Sequence, residues 1–335
     1  MSAIAAPQKT MELYFELDHA KDDYMYDVIG DVHGHADELV ELLGKLGYRD
    51  GQGFYSHPNR TAVFVGDFID RGPQILEVLR LARAMIDNDA ALAVMGNHEF
   101  NAIAYHTVNP QRPGCFFRDH SDKNNHQHAE TLRQVPTPEL SEFVEWFKSL
   151  PVALDLDGLQ VVHASWDRDA IETIERSIKT LGPFTSEFLT EVTASEPANP
   201  LFQAVEEVLK GKEVQLPDGL FFRDKDGHPR HHMRVRWFES PKGQSFRGYT
   251  MPRNDDLPDD PIPLDMISSD GYGATEPPVF FGHYWLNDNE PKTMAPNVAC
   301  VDYSVAKNGL LCAYRWNADD AGLKNENFVT VKSKS

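Results

Sequence analysis

The fold of this chain is decided by three short segments, Gly30-Asp31-Val32-His33-Gly34, Gly66-Asp67-Phe68-Ile69-Asp70-Arg71-Gly72 and Gly96-Asn97-His98-Glu99. Each segment directly follows a hydrophobic run that is typical of a buried strand, at residues 24–29, 61–65 and 91–95. The carboxyl ends of parallel strands meet at one edge of a sheet, and open α/β sheets place their functional sites there. We therefore expect the polar side chains of the three segments to lie close together.

Six side chains at predicted strand ends are candidate metal ligands: Asp31, His33, Asp67, Asn97, His163 and His283. Asp31 and His33 are two residues apart, so both can point to the same side of the chain. Asp67 can bridge two ions, because a carboxylate spans metal ions about 3.5–4 Å apart. Oxygen and imidazole ligands without a thiol favour Mn, Fe or Zn. The set exceeds what one ion needs, which predicts two divalent ions, with Mn as the favoured metal.

Each candidate also has a structural interpretation when taken alone. A Gly-Asp-x-His-Gly segment can be a capped turn, and an isolated histidine is more often a buried core residue than a ligand. Six such residues that all follow strand-like runs favour the metal site. Eight further histidines lack this placement and are interpreted as surface or loop residues, with His106 as a candidate supporting residue: His57, His106, His120, His126, His128, His228, His231 and His232.

The order of predicted elements indicates an α/β fold. Helices predicted at 36–46 and 73–86 alternate with the first three strands, and this βαβαβ order is typical of a largely parallel sheet. After a polar loop, 109–127, a further helix is predicted at 138–150. Later strands are predicted at 152–156, 159–163, 279–281, 298–303 and 310–316, with Asp157-Gly158 and Asn308-Gly309 as turns.

The middle of the chain changes character. Three amphipathic helical stretches, at 171–180, 184–190 and 202–209, precede a segment rich in Pro and Asp, 252–263. The predicted organisation is a core of residues 24–166 and 279–318, a cap or insertion of 167–278, and flexible tails at 1–23 and 319–335.

Composition limits the classes of partner. The chain has 335 residues, with 52 acidic and 32 basic side chains and a formal net charge of -20, which argues against a nucleic-acid duplex as partner. No apolar run reaches the length of a membrane span, and residues 1–23 lack the pattern of a secretory signal. Three scattered cysteines do not form a disulfide framework. We expect a cytoplasmic protein with no membrane partner and an anionic substrate; protein partners are not indicated.

The motifs, in this order, resemble those of the calcineurin-like metallophosphoesterases. The segment 66–72 is most similar to the branch of Ser/Thr phosphoprotein phosphatases and symmetrical diadenosine tetraphosphatases. The resemblance covers residues 24–166 and 279–316, and no motif covers the cap. It implies an αββα sandwich with two mixed sheets and an inserted, partly helical cap.

The resemblance also implies roles for individual residues. Asp31, His33 and the bridging Asp67 would hold the first metal ion, with His283 nearby, and Asp67, Asn97, His163 and His283 would hold the second. A hydroxide between the ions would attack phosphorus in line.

His98 would then protonate the leaving oxygen, and Asp70 would orient its ring. Arg71 would bind the non-bridging oxygens of the phosphate as a planar guanidinium, and Asn97 would be a second phosphate contact.

Two departures from the family pattern bear on the substrate. Where protein phosphatases of this branch have His-Gly-Gly, this chain has His163-Ala164-Ser165, which argues against a protein substrate. The family's second phosphate-binding arginine has no clear counterpart; Arg234 and Arg236 lie on one face of a strand-like run and either could replace it, with Arg236 preferred.

The leading hypothesis is hydrolysis of a phosphate monoester or phosphoanhydride in a small phosphorylated molecule or dinucleoside polyphosphate. The alternatives are a phosphatase of phosphoserine, phosphothreonine or phosphotyrosine proteins, and a non-catalytic binding module that kept the fold.

Overall fold

The computed structural model describes residues 25–194, 198–223, 228–263, 265–267 and 269–334. Its helices are α1 (Ala36–Leu46), α2 (Ile75–Asp87), α3 (Asn97–His106), α4 (Asp122–Gln134), α5 (Thr137–Phe147), α6 (Arg168–Leu181), α7 (Ser186–Thr193), α8 (Pro200–Lys210) and α9 (Phe246–Tyr249). Its strands are β1 (Met25–Ile29), β2 (Arg49–Asp50), β3 (Tyr55–Ser56), β4 (Thr61–Phe64), β5 (Ala91–Ala93), β6 (Ala153–Leu156), β7 (Leu159–Val162), β8 (Glu213–Gln215), β9 (Phe222–Arg223), β10 (Pro229–Arg230), β11 (His232–Arg234), β12 (Val279–Phe281), β13 (Val298–Cys300), β14 (Asp302–Tyr303), β15 (Leu310–Asn317) and β16 (Phe328–Lys332). Short 3-10 helices lie at Val305–Lys307 and Asn325–Asn327.

Two mixed sheets carry the fold. The larger has the order β14-β15-β1-β4-β5, with β16 also paired to β15. Its strands β1, β4 and β5 are parallel, while β15 runs antiparallel to β1. The smaller sheet has the order β13-β12-β7-β6, in which β12 is parallel to both neighbours and β6–β7 is an antiparallel hairpin.

The two sheets pack face to face between layers of helices. Val28 and Val63 belong to a hydrophobic cluster with Leu159 and Phe280 of the other sheet, so these side chains fill the space between the sheets. The next residues along β1 and β4, Ile29 and Phe64, belong to a second cluster shared with the helices. Since side chains alternate along a strand, both faces of each sheet are covered. The predicted αββα sandwich is confirmed.

The middle of the chain consists of two different parts. Helices α6–α8 contribute Ile174 and Val205 to the main hydrophobic core. The following region, which we call the inserted lobe (residues 213–223, 228–263 and 265–267), has a second cluster, made of Leu216, Met233, Val235, Phe246, Tyr249, Leu257, Ile262 and Ile267. Its Trp237, Phe238 and Met251 belong to the main hydrophobic core. The predicted unit 167–278 is therefore a helical layer of the sandwich followed by a small lobe, and its bounds as a domain stay a prediction.

Some local predictions differ from the structure. Residues 328–332, expected in a flexible tail, form β16, because the chain returns to cover the open edge of β15. The turn at Asn308-Gly309 is part of a longer connection, 304–309, that includes the 3-10 helix. The predicted polar loop 109–127 runs into α4. The predicted tail at 1–23 lies outside the described residues. Within the described part of the chain, none of the helices has the length and apolar character required to traverse a bilayer.

Candidate active site

The candidate site lies where five strands end. Asp31 follows β1, Asp67 follows β4, Asn97 begins α3 after β5, and His163 and His283 follow β7 and β12. Because these strand ends share one edge of the sandwich, the structure brings all six predicted ligands, His33 included, into one buried cluster.

The turns that carry these ligands are tight. A Cβ atom on Gly66 would lie 2.4 Å from the nitrogen of Gly96, and one on Gly96 would lie 2.2 Å from Oδ1 of Asp67, so only glycine fits at either position. His33 and Asp67 themselves have left-handed φ angles of 44° and 53°. Such conformations are costly and are typical of functional sites.

Glu99 holds the Asp67 turn in place. Its Oε2 accepts the backbone N–H of Asp67 at 2.8 Å and that of Gly96 at 3.1 Å, and its Oε1 accepts that of Phe68 at 2.9 Å. Burial and the nearby Asp67 raise the pKa of Glu99 to about 7. This role of Glu99 is not evident from the third motif alone.

His33 presents one ring nitrogen as a metal ligand would. Its Nδ1–H donates to the carbonyl of Ile69 at 2.9 Å, which directs Nε2 toward Oδ2 of Asp67 at 3.6 Å. Nε2 is buried and has no hydrogen-bond partner. Burial lowers the pKa of His33 to about 3, so the ring is neutral. A backbone bond that orients a neutral imidazole is the usual support of a metal-binding histidine.

His163 and His283 form a similar group around Asn97. Nδ1–H of His163 donates to the carbonyl of Val65 at 2.7 Å, so its Nε2 is an acceptor that faces Oδ1 of Asn97 at 3.1 Å. Nε2 of His283 is buried without a partner, and its Nδ1 lies 2.8 Å from the same Asn97 oxygen. Two acceptors that face each other, and a buried unpaired nitrogen, fit a cation between these groups.

The carboxylates are crowded. Burial, together with Asp302 and Asp67, raises the pKa of Asp31 well above its usual range. The carboxylate of Asp31 also accepts the backbone N–H of His283, at 3.1 Å. Buried carboxylates of like charge repel each other, and a bound cation removes this repulsion. The position of Asp302 near the site was not predicted from the sequence.

The donor atoms divide into two groups that share Asp67. Ligand atoms of His33, Asp67 and His98 lie within 4.8 Å of one another, and so do those of Asp67, His163 and His283. The two oxygens of Asp67 face different histidines, Oδ2 toward His33 at 3.6 Å and Oδ1 toward His163 at 3.5 Å. His98 belongs to the first group by distance, and Asp31, which was expected there, does not. The residues present fit two divalent cations, one on each side of Asp67.

His98 and Asp70 form a charged pair beside this cluster. Nδ1–H of His98 donates to Oδ2 of Asp70 at 2.5 Å, and Nε2 lies 3.9 Å from Oδ2 of Asp67. Burial alone would lower the pKa of His98, but the two carboxylates outweigh it and the pKa is raised. The imidazole can therefore keep a proton at Nε2, on the side of the ligand groups.

Two residues of α4 complete the surroundings of Asp70. Nδ1–H of His128 and Oγ1–H of Thr131 both donate to Oδ1 of Asp70, at 2.8 and 2.5 Å. The backbone N–H of Asp70 donates to Oγ1 of Thr131 at 3.0 Å. Although burial opposes it, the hydrogen bonds from His128 and His98 lower the pKa of Asp70. The interpretation of His128 as a surface or loop residue was wrong. His106 contacts His128 and not Asp70: its Nε2 lies 3.2 Å from Nε2 of His128.

The predicted arginines differ in their surroundings. Arg71 is exposed at the edge of the site, and its Cζ lies 4.4 Å from the centroid of the Trp285 ring. Burial lowers the pKa of His283, and the charge of Arg234 adds to this effect. Arg236 pairs with Glu239 at 2.7 Å and stacks on Phe238. Arg234 also has a carboxylate partner, Glu213 at 3.3 Å, so neither arginine is distinguished as the phosphate-binding residue.

An αββα sandwich with a carboxylate shared between two ligand groups at its strand ends defines a class of two-metal hydrolases. The model of the family described as calcineurin-like phosphoesterase matches residues 26–283, and the chain belongs to this family.

Relatives are similar over part of their length. An asymmetrical bis(5'-nucleosyl)-tetraphosphatase PrpE from Halalkalibacterium halodurans is 54% identical over 74 residues, which cover 22% of this chain and 30% of the relative. The protein of the same name from Oceanobacillus iheyensis is 32% identical over 171 residues, covering 49% of this chain and 66% of the relative. The chain thus spans less than two thirds of the length of these relatives.

A solved structure shares the fold. A protein serine/threonine phosphatase from Saccharomyces cerevisiae superposes with a TM-score of 0.51 at 17% identity, over 95% of this chain and 82% of the other.

Proposed function

We propose that this protein is a metal-dependent phosphohydrolase that cleaves phosphate monoesters or phosphoanhydrides. The observation that carries the proposal is the Asp67 carboxylate, whose two oxygens face His33 and His163 of separate ligand groups. The dinucleoside tetraphosphatases among the relatives support a small phosphorylated molecule or a dinucleoside polyphosphate as substrate.

The family implies divalent metal ions, and their proposed ligands are Asp31, His33, Asp67, Asn97, His163 and His283. When bound, such ions act as Lewis acids on a phosphoryl oxygen and activate water. The mixed oxygen and nitrogen donors support Mn, with Fe or Zn as alternatives. We also propose a cytoplasmic setting, which the free cysteines Cys115, Cys300 and Cys312 support.

The protein's own residues supply the rest of the mechanism. Asp70 holds the His98 ring by its Nδ1–H, so a proton at Nε2 is directed to the leaving oxygen. Arg71 binds the non-bridging oxygens of the phosphate, because a guanidinium matches their geometry.

The test combines metal content with turnover. We expect about two ions per chain after reconstitution with Mn, and a loss of both ions in Asp67→Asn, because each ligand group loses an anionic oxygen. Asp87→Asn, which removes the same charge from the exposed end of α2, is the matched control and should keep both ions. Retention of one full site in Asp67→Asn would contradict the shared role of this carboxylate.

Substrate class is tested by a screen with Mn. The panel compares p-nitrophenyl phosphate, nucleotides, dinucleoside polyphosphates and phosphopeptides. We expect turnover of the aryl ester and of small phosphates or anhydrides. Preferential turnover of phosphopeptides would instead favour the phosphoprotein phosphatase, and metal-free, inactive protein would favour the binding module.

A further inference from the structure

Trp285 brings two cations together at the edge of the site. The Cζ atom of Arg71 lies 4.4 Å from the centroid of its ring, and the Nζ atom of Lys307 lies 4.1 Å from it. Both distances are within the range of a cation–π interaction. The same ring lies 5.2 Å from the ring of His33, so the two cations are next to the proposed metal ligands.

Asp302 joins the two loops that carry these residues. Its Oδ2 accepts the backbone N–H of Trp285 at 2.6 Å, and its Oδ1 accepts that of Ser304 at 3.0 Å. The backbone is left-handed at Trp285 and Ser304, with φ angles of 54° and 60°, and Lys307 ends the 3-10 helix that follows. Burial raises the pKa of Asp302 to about 6, although the charge of Lys307 acts in the opposite direction. The chain thus holds the Lys307 turn against the Trp285 loop through a buried carboxyl group.

The chemistry of this arrangement suits an anion with several charges. The indole ring attracts the guanidinium of Arg71 without neutralising it, and in the described residues no carboxylate pairs with this guanidinium. Both cationic side chains are exposed, in a protein whose formal net charge is -20. One phosphate group next to the ligands needs one such cation, whereas a second cation on the same ring matches a second, adjacent phosphate.

We propose that Arg71 and Lys307, held together by the positioning residue Trp285, form a subsite for the phosphate next to the one that is hydrolysed. The ligand class is then a molecule with at least two consecutive phosphates. This inference rests on the proposed function, because it takes Arg71 as the residue that binds the reacting phosphate.

The test measures inhibition of p-nitrophenyl phosphate hydrolysis by inorganic phosphate and by pyrophosphate. We expect Lys307→Gln to raise the ratio of the pyrophosphate Ki to the phosphate Ki about tenfold, the size expected from one charge-assisted hydrogen bond. The matched control is Lys45→Gln, which removes an exposed charge from α1 and should leave both constants unchanged. Free Mn is held at one saturating concentration in every titration, so that chelation by pyrophosphate does not change the metal occupancy.

Failure of the subsite and failure of the proposed function give different results. If wild-type protein hydrolyses p-nitrophenyl phosphate but Lys307→Gln changes both Ki values by the same factor, or neither, the subsite is overturned and the function stands. If wild-type protein hydrolyses nothing, the proposed function fails. Calorimetric titration of phosphate and pyrophosphate into the same three metal-loaded proteins then still measures the binding ratio, and an unchanged ratio in Lys307→Gln overturns the subsite.

Discussion

Two groups of side chains contact the His33 ring, one through His98 and one through Trp285, and they are built in opposite ways. In the first, which we call the acid flank, His98, Asp70, His128 and Thr131 are buried and joined by hydrogen bonds. In the second, the cation flank, the charged groups of Arg71 and Lys307 are exposed and rest on Trp285. Asp70 and Arg71 are consecutive residues with left-handed φ angles of 66° and 71°, so one turn sends a carboxylate inward and a guanidinium outward.

The difference shows that the burial and hydrogen bonds of a charged side chain determine which chemical role it can have. A buried carboxylate such as Asp70 is stable only when hydrogen bonds replace its lost water, and these bonds fix its position. An exposed guanidinium on a neutral ring keeps its donors available for a ligand. The acid flank is therefore suited to hold a proton at one atom, and the cation flank is suited to receive an anion.

The largest expected effect is in the acid flank. We expect His98→Ala to lower turnover by ~10²- to 10⁴-fold, the range for loss of a positioned general acid. The loss should be greater on an alkyl phosphate than on p-nitrophenyl phosphate, because p-nitrophenolate leaves without a proton. Steady-state rates on both substrates test whether the loss depends on the leaving group, and metal content is measured as the control. An equal loss on both would assign His98 to positioning rather than proton donation.

A smaller effect is expected for His128, which acts through Asp70. We expect His128→Ala to lower turnover of the alkyl phosphate about tenfold, since Asp70 loses one charge-assisted hydrogen bond. The aryl phosphate should lose less, as for His98→Ala. His128→Asn offers an amide donor in place of Nδ1–H and should recover part of the rate. His126→Ala, an exposed position of the same helix, is the matched control; a loss as large as that of His128→Ala would indicate a general disturbance of α4.

The smallest effect is expected in the cation flank. An exposed cation–π contact contributes ~0.5–1 kcal/mol, so Trp285→Leu should raise KM about two- to fivefold, with a lesser change in kcat. The increase should be the same for alkyl and aryl esters, because Arg71 contacts the phosphate and not the leaving group. Trp285→Phe keeps an aromatic ring and should show a smaller increase. If the increase in KM depended on the leaving group, Trp285 would act together with the acid flank, and the two flanks would not have separate roles.

Sequence predicted one of these flanks better than the other, for physical reasons. Asp70, Arg71 and His98 lie directly after strands in turns bounded by glycine, and such local patterns are visible along the chain. His128 lies in a helix rich in Asn, His and Gln, in which only His128 and Thr131 are buried. No apolar periodicity marks that helix, and its approach to Asp70 depends on tertiary packing.

The cation flank was missed for a related reason. Lys307 and Trp285 belong to separate loops, and their meeting depends on the two bonds accepted by Asp302. The αββα sandwich was predictable because strand and helix periodicities are local. The β16 strand was not predictable, because the residues around it in the sequence are polar and give no sign of its pairing with β15.

The separate hydrophobic cluster of the inserted lobe has a consequence for how this protein can change. The residues of this cluster can open locally as a cooperative unit, while Trp237, Phe238 and Met251 of the same lobe stay packed in the main hydrophobic core. Substitutions among residues such as Leu216 or Ile262 then lower the protection of that lobe against hydrogen exchange and leave the sandwich protected. Over evolutionary time the lobe can therefore vary in sequence and shape while the strand ends that carry the ligands stay as they are.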